Sequence, residues 1–260
     1  MKTTTLNIAA AIISFILIAS CGNLGDAQRN GALNSSIAEK VYIAPGERDE
    51  QYGFLSGGYS GNLTVYGLPS GRMFKEIPVF SQFPTSGYGY SEETKPMLNT
   101  SFGFVPWDDL HHPDISQTNG ELDGRWIFAN GNNTPRIARI SLSTFETEEI
   151  IEVPNSAGNH SSSFITENTE YVVAGTRFSV PVPQKDMPIN EYKSNFKGAL
   201  TFIAVEPEHG HLDIKFQLLM PGFNYDLSHP CRDKSHGWSL LSTYNTEEAR
   251  TLWEVNASQN

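Results

Sequence analysis

Two adjacent histidines are the residues in this chain whose types and spacing best suit metal chemistry. His111 and His112 follow Asp109 closely and are followed directly by Pro113. In a regular strand, successive side chains point to opposite faces, so the two imidazoles could not both reach one small metal ion. Pro113 favours an extended backbone at His112, and Pro106 interrupts the approach. We therefore expect a rigid loop in which each imidazole binds a different atom of one multinuclear cluster; the alternative is a surface pair without function.

A third histidine, His160, lies in a loop of small residues at 154–163, between the end of one predicted strand and the start of the next. Connections of this kind are where sites are usually built. Imidazoles without cysteine partners suit copper, zinc, iron or nickel. The sequence contains no His-Glu-x-x-His, Cys-x-x-Cys, phosphate-loop or Gly-x-Ser-x-Gly pattern, so zinc-protease, redox-thiol, phosphate-loop and serine-hydrolase chemistry have no support.

The other four histidines are predicted not to bind a metal. His209 and His211 flank a turn glycine and should be exposed to solvent. His229 and His236 bracket a loop that contains a cysteine, and nothing in their spacing indicates a ligand set.

A repeated pair of strands must position these loops. Alternating apolar residues and turn signals predict three hairpins, at 62–67 with 73–80, 136–142 with 149–153, and 199–205 with 212–219. Inner strands are predicted ahead of the second and third hairpins, and a further copy opens near Trp238. Repetition at a long, loose period indicates an all-β chain built from β-propeller blades, with a β-sandwich as the competitor. A closed propeller needs at least four blades, so we expect only the first blades of a longer protein.

Composition narrows the class of protein further. The chain has 260 residues, enough to bury a sizeable core, and a formal net charge of -11, which argues against a nucleic-acid partner. Its 22 glycines and 15 prolines favour short strands and turns over long helices. With only 2 cysteines, no disulfide framework stabilises the fold.

The N-terminal segment resembles an export signal. Leu6–Ile18 is mostly apolar but too short for a comfortable transmembrane helix. The ending Ile18-Ala-Ser-Cys21 resembles a bacterial lipobox, whose cysteine is lipid-modified after export; the alternative is an ordinary cleaved signal peptide. We expect a signal peptide at 1–21, a flexible tether at 22–40 and the blades at 41–260. The protein would then be periplasmic, and anchored to the membrane if Cys21 is acylated.

Several ordered motifs resemble the N-terminal propeller of nitrous oxide reductase. They are Asp109-Leu-His-His112, Asp123-Gly-Arg-Trp-Ile-Phe128, Asn133-Thr-Pro-Arg-Ile-Ala138, Asn159-His160, the segment 206–211 and Ser242-Thr-Tyr-Asn-Thr-Glu247. The resemblance runs from about Val41 to the end of the chain. Because the start lacks a twin arginine, it resembles the Sec-exported branch of the family.

The resemblance implies a seven-bladed propeller whose hub holds a tetranuclear copper-sulfide cluster ligated by seven histidines. It implies that His111, His112 and His160 are three of these ligands, and that Asp109 orients the adjacent pair. The other four ligands and a C-terminal cupredoxin domain with a binuclear copper centre would lie beyond Asn260.

The resemblance also implies a second metal and a reaction. Tyr244 and Glu247 match residues that help bind a structural calcium ion, for which oxygen ligands are suited. The implied activity is two-electron reduction of nitrous oxide to dinitrogen and water in anaerobic respiration, with a c-type cytochrome or a cupredoxin as electron donor and a homodimer as the complete enzyme. These residues alone would be inactive.

A second class of function remains open from the sequence. A copper-free lipoprotein β-propeller of the cell envelope would keep the blades and act as a binding module. A mononuclear metallohydrolase is disfavoured, because no single loop carries a complete set of metal ligands.

Overall fold

The computed structural model describes residues 36–160, 164–220, 224–230 and 239–244. The strands are β1 Gln51–Ser56, β2 Asn62–Leu68, β3 Met73–Pro78, β4 Asn99–Thr100, β5 Gly103–Phe104, β6 Leu110–Thr118, β7 Glu121–Gly131, β8 Arg136–Ser141, β9 Glu146–Glu152, β10 Phe164–Ile165, β11 Tyr171–Gly175, β12 Val180–Pro181, β13 Phe196–Val205, β14 Leu212–Met220, β15 Asn224–Pro230 and β16 Ser239–Tyr244. The helices are α1 Ser36–Val41 and α2 Tyr192–Asn195, with 3-10 turns at Lys95–Leu98 and Ile189–Glu191. None of the described helices has the length and apolar character needed to cross a bilayer.

The strands form successive sheets. Their orders are β1-β2-β3, β4-β5, β6-β7-β8-β9, β10-β11-β13-β12 with β14 paired to β13, and β15-β16. The pairs within the sheet β6–β9 and within the sheet around β13 are antiparallel. The prediction of an all-β chain built from repeated antiparallel sheets is confirmed. The described residues form no closed ring, and the prediction concerned only the first blades of a propeller.

The chain separates into two compact units. The smaller comprises the described residues up to Gly53 together with Tyr66–Met73, and the larger comprises Phe54–Val65 and the described residues from Phe74 onward. All of the histidines discussed below belong to the larger unit.

The smaller unit is held by a buried carboxylate. Asp49 accepts hydrogen bonds of 2.8 Å from the amide and the hydroxyl of Ser70 and one of 3.0 Å from Arg72 Nη2. Burial acts to raise the pKa of Asp49, but these bonds outweigh it and hold the pKa below its ordinary value. The carboxylate therefore stabilises the fold above the ordinary pKa of aspartate, and this contribution is lost as the pH falls through the lowered folded-state pKa.

The sheet β6–β9 lies in the middle of the larger unit and is buried on both faces. Along β7, Ile127 and Ala129 enter one apolar cluster together with side chains of β2, β3 and β8, whereas Trp126 and Phe128 enter a second cluster with side chains of β10, β11 and β13. This alternation is the period of two that a strand imposes on its side chains. Burial of Ile127 and of Phe128 contributes about 1.5–3 kcal/mol each, which helps to fix the position of β7.

A second buried carboxylate holds the approach to β6. One oxygen of Asp108 accepts hydrogen bonds from the amides of Asp109 at 2.7 Å and Asn133 at 2.9 Å. Its other oxygen accepts from the amide of Thr134 at 2.9 Å and from the hydroxyl of the same residue. Asp108 thereby joins the start of β6 to the turn between β7 and β8.

Arg136 completes this anchor. Its guanidinium donates to the carbonyls of Val105 at 3.1 Å and Trp107 at 3.2 Å, and lies 3.7 Å from Asp108. The side chains of Arg136 and Asp108 are 1% and 0% exposed. Desolvation lowers the pKa of Arg136 although the charge of Asp108 acts to raise it. The buried pair therefore supplies hydrogen-bond partners for backbone groups of the segment between β5 and β6. Most of that segment has no partner strand in a sheet.

The N-terminal predictions fall largely outside the described residues. Cys21 and most of the predicted tether lie there. The last part of the tether is helical, because α1 begins at Ser36.

Replacing Asp108 with alanine should destabilise the complete protein by about 3–5 kcal/mol, because it leaves the guanidinium of Arg136 buried without its carboxylate. Urea denaturation followed by circular dichroism measures this loss. Asp213→Ala is the matched control, since its partner Lys215 and Asp213 itself are both largely exposed. Equal midpoints for the two variants would contradict the anchoring role of Asp108.

Candidate metal centre

His111 and His112 lie within strand β6, not in the loop that the sequence predicts. His111 pairs with Asn130 of β7, but before the next pair, at Asp114, β6 contains one residue more than β7. This extra residue is a β-bulge. Pro113 lies inside it, which suits a residue that has no N–H for the ladder.

The bulge changes the backbone at His112. Its φ is 44°, in the left-handed region, so the extended conformation predicted from Pro113 is wrong. The bulge overrides that local preference and breaks the alternation of neighbouring side chains. The imidazole rings of His111 and His112 consequently lie near each other, with centroids 5.4 Å apart.

His160 belongs to a different part of the chain. It ends the connection that follows β9, and the preceding residue, Asn159, forms an isolated antiparallel bridge with Thr176. The Asn159 amide also donates a 3.2 Å hydrogen bond to the carbonyl of Gly131, the last residue of β7. The loop of His160 is thus fastened to the strand next to β6.

The three imidazoles converge. The centroid of the His160 ring lies 4.9 Å from that of His111 and 4.9 Å from that of His112. One nitrogen of each ring lies within 4.8 Å of the corresponding nitrogens of the other two. The expectation that the adjacent pair cannot serve one ion is therefore wrong, because the bulge removes the alternation on which it rested. The cluster suits either one ion or adjoining atoms of a multinuclear centre.

Asp109 lies directly beside this cluster. Its Oδ1 is 3.0 Å from Nε2 of His111, while Asp109 itself is only 3% exposed. The two atoms are at ion-pair distance but without hydrogen-bond geometry. Because Nε2 of His111 faces the carboxylate, its Nδ1 is the nitrogen available to a metal. A carboxylate on the second ring nitrogen is the usual partner of a metal-bound imidazole.

A polar chain leads away from Asp109. Its Oδ2 accepts a 3.0 Å hydrogen bond from Nδ2 of Asn132, whose Oδ1 in turn accepts from the guanidinium of Arg177. The backbone of Gly158 passes close to this chain: an added Cβ there would lie 2.5 Å from the Asn132 carbonyl oxygen. Any larger residue would push the His160 loop away from β7.

Sequence reasoning missed the three asparagines of this site. Asn130, Asn132 and Asn159 are all buried. In the sequence, Asn130-Gly-Asn-Asn133 has the composition of a tight turn, which explains two of them without invoking a site. Only the position of Asn159 directly before His160 was a usable signal.

The remaining sequence-predicted sites have different outcomes. His209 and His211 are exposed, as predicted, with 66% and 69% of their side chains accessible. Tyr244 is the last residue of β16 and Glu247 lies outside the described residues, so the calcium site stays a prediction.

Comparison with known proteins identifies what the chain resembles. It is 34% identical over 215 residues, 82% of its length, to a nitrous-oxide reductase of Pseudomonas fluorescens. It is 32% identical over the same number of residues to a nitrous-oxide reductase of Stutzerimonas stutzeri. The chain is a relative of the nitrous-oxide reductases. It spans 32% of the length of each of these two nitrous-oxide reductases.

Other comparisons are weaker. A nitrous-oxide reductase of Ralstonia nicotianae is 29% identical over 262 residues and 92% of this chain. No protein-family model matches the chain. Among solved structures, a hydrazine synthase of Kuenenia stuttgartiensis superposes with a TM-score of 0.39 and 14% identity, covering 73% of this chain and 58% of its own. A putative 6-phosphogluconolactonase of Bacteroides uniformis gives a TM-score of 0.39 and 12% identity, covering 77% and 62%.

Asp109→Asn should weaken metal binding at the histidine cluster of the complete protein about 10-fold to 100-fold, because the neutral amide supports a metal-bound imidazole of His111 less well than a carboxylate. Competition with a metal chelator of known affinity measures the change. Asp213→Asn, on the exposed strand β14, is the matched control. An Asp109→Asn protein that competes as well as the control would contradict the orienting role.

Proposed function

We propose that this chain contributes part of the copper centre of a nitrous-oxide-reducing enzyme. The observation that carries the proposal is the convergence of His111 and His112 of strand β6 with His160 of the connection after β9. The sequence similarity to nitrous-oxide reductases supports the same conclusion independently of the geometry.

The residues present fit a copper site. Three imidazoles without cysteine partners are a ligand set that copper accepts. The carboxylate of Asp109 is buried beside His111, and a buried carboxylate gains from a positive centre next to the ring it contacts. His111, His112 and His160 would hold the metal, and Asp109 would set the orientation of the first ring.

The reaction proposed is N2O + 2 H⁺ + 2 e⁻ → N2 + H2O. The copper-sulfide cluster, when bound, supplies the electrons and the metal atoms that act on this inert molecule. The residues of this chain fix the imidazoles in place, and the two apolar clusters on either side of the sheet β6–β9 keep the supporting strands rigid. The remaining ligands and the binuclear copper centre belong, in this proposal, to a longer protein.

The wider assembly follows from the same proposal. The electron donor is a c-type cytochrome or a cupredoxin, and the complete enzyme is a homodimer. Tyr244 and Glu247 bind a structural calcium ion. Acylation of Cys21 anchors the protein to the membrane on the periplasmic side.

His112→Ala in the complete protein should abolish nitrous oxide reduction and remove more than one copper atom per chain, because metal binding and local structure are coupled. Gas consumption with a reduced dye and elemental analysis measure the two effects. The binuclear centre should keep its visible spectrum, and His211→Ala, an exposed histidine, should behave like the wild type. Full copper content and activity in His112→Ala would refute the assignment.

Cys21→Ser should release the protein from the membrane, because durable insertion depends on the attached acyl chains. Fractionation of cells, followed by immunoblotting of soluble and membrane fractions, measures the distribution. If the variant remains in the membrane fraction, the lipobox interpretation is wrong.

A further inference from the structure

Asn130 joins the two halves of the histidine cluster. It is 0% exposed and pairs directly with His111 across the ladder between β7 and β6. Side chains of directly opposed residues lie on the same face of a sheet, so the amide of Asn130 lies next to the imidazole of His111. Its Nδ2 donates a hydrogen bond to the carbonyl of Asn159, the peptide group that leads into His160.

Both polar groups of the Asn159 backbone are therefore held by the end of β7. The Asn159 amide donates to the Gly131 carbonyl, and its carbonyl accepts from Asn130. The described connection on the other side, from Val153 to His160, contains no strand of its own. The carbonyl of the peptide group before His160 is thus bound by the side chain of Asn130. The preceding peptide group is held by the Gly131 carbonyl on one side and by the Arg177 amide on the other.

The side chains of Asn130 and Asn159 have different roles. The bond from Nδ2 fixes the orientation of the Asn130 amide, and its buried Oδ1 has no hydrogen-bond partner among the described residues. Asn159 turns its own Oδ1 to the hydroxyl of Ser156 at 3.2 Å. The buried Nδ2 of Asn159 likewise has no hydrogen-bond partner among the described residues. The difference between the two residues is that Asn130 binds the His160 loop through its side chain, whereas Asn159 is bound through its backbone.

We propose that Asn130 is a positioning residue of the metal centre, whose Nδ2 fixes the peptide group before His160 and thereby holds that imidazole against His111 and His112. This inference rests on the proposed function, since it concerns the same copper site. It adds a residue that contacts no metal but sets the distance between the ligands of strand β6 and the ligand of the connection after β9. Ligand geometry must be held to within about 0.5 Å for a metal site to bind well, and hydrogen bonds from surrounding residues help to hold it.

Two substitutions test the bond itself. Asn130→Asp keeps the size and Oδ1 of the side chain but places an oxygen against the Asn159 carbonyl in place of the donor. Asn130→Ala removes both groups. In the complete protein, both variants should lose copper to a chelator about 10-fold to 100-fold more readily than the wild type, and the electron paramagnetic resonance spectrum of the remaining copper should change.

One control separates positioning from folding. Asn62→Ala removes a buried asparagine that is bonded to Glu76 and Ser81 and not to the His160 loop. Its melting temperature shows what the loss of a buried asparagine does to the fold alone.

The outcomes are distinct. Copper retention and spectra equal to the wild type in both Asn130 variants would overturn this inference and leave the copper site intact. The inference would also fail if Asn62→Ala changed the spectrum as much as Asn130→Asp. A wild-type protein that holds no copper at these histidines would overturn the proposed function and this inference together.

Discussion

The carboxylate of Asp108 is the interaction on which the site depends most. It accepts four hydrogen bonds from the start of β6 and from the turn after β7, and it faces the guanidinium of Arg136 where neither side chain meets water. Such a pair adds little net stability compared with apolar packing, because both charges are desolvated. Its contribution here is geometric, since it fixes the peptide group that leads into Asp109 and hence the two histidines that follow.

Two further sets of polar contacts position the imidazoles. One passes from His111 through Asp109 and Asn132 to Arg177. The other passes from Asn130 to the peptide before His160. Hydrogen bonds in a buried network reinforce one another, and a group left unsatisfied there is costly, so such networks hold a single arrangement. The apolar clusters on the two faces of β6–β9 fix the positions of the strands. The polar contacts fix the positions of the imidazoles.

Many of these strands can be predicted from the sequence, because apolar and polar residues alternate along them. The alternating residues of 136–142 and 199–205 predicted strands that the structure places at Arg136–Ser141 and Phe196–Val205. The Asn-Gly dipeptide at Asn119 is typical of a tight turn, and both of its residues have positive φ in the turn between β6 and β7. The resemblance implied that His111, His112 and His160 are ligands of one cluster, and the structure brings their rings together. The bulge could not be predicted from the sequence of β6, because it depends on how β6 pairs with β7. The buried asparagines were missed for a related reason, since turn and ligand-supporting roles use the same residue type.

The single surplus residue in β6 also limits how this segment can evolve. Side chains on a strand change face with every one-residue shift, so deleting one residue between His111 and Asp114 would remove the bulge and reverse the face of one imidazole relative to the apolar residues further along β6. Adding one would displace the same residues in the other direction. Substitutions at Pro113 leave that count unchanged, whereas insertions and deletions alter it. The register of β6 is therefore more sensitive to the length of this stretch than to the residue at position 113.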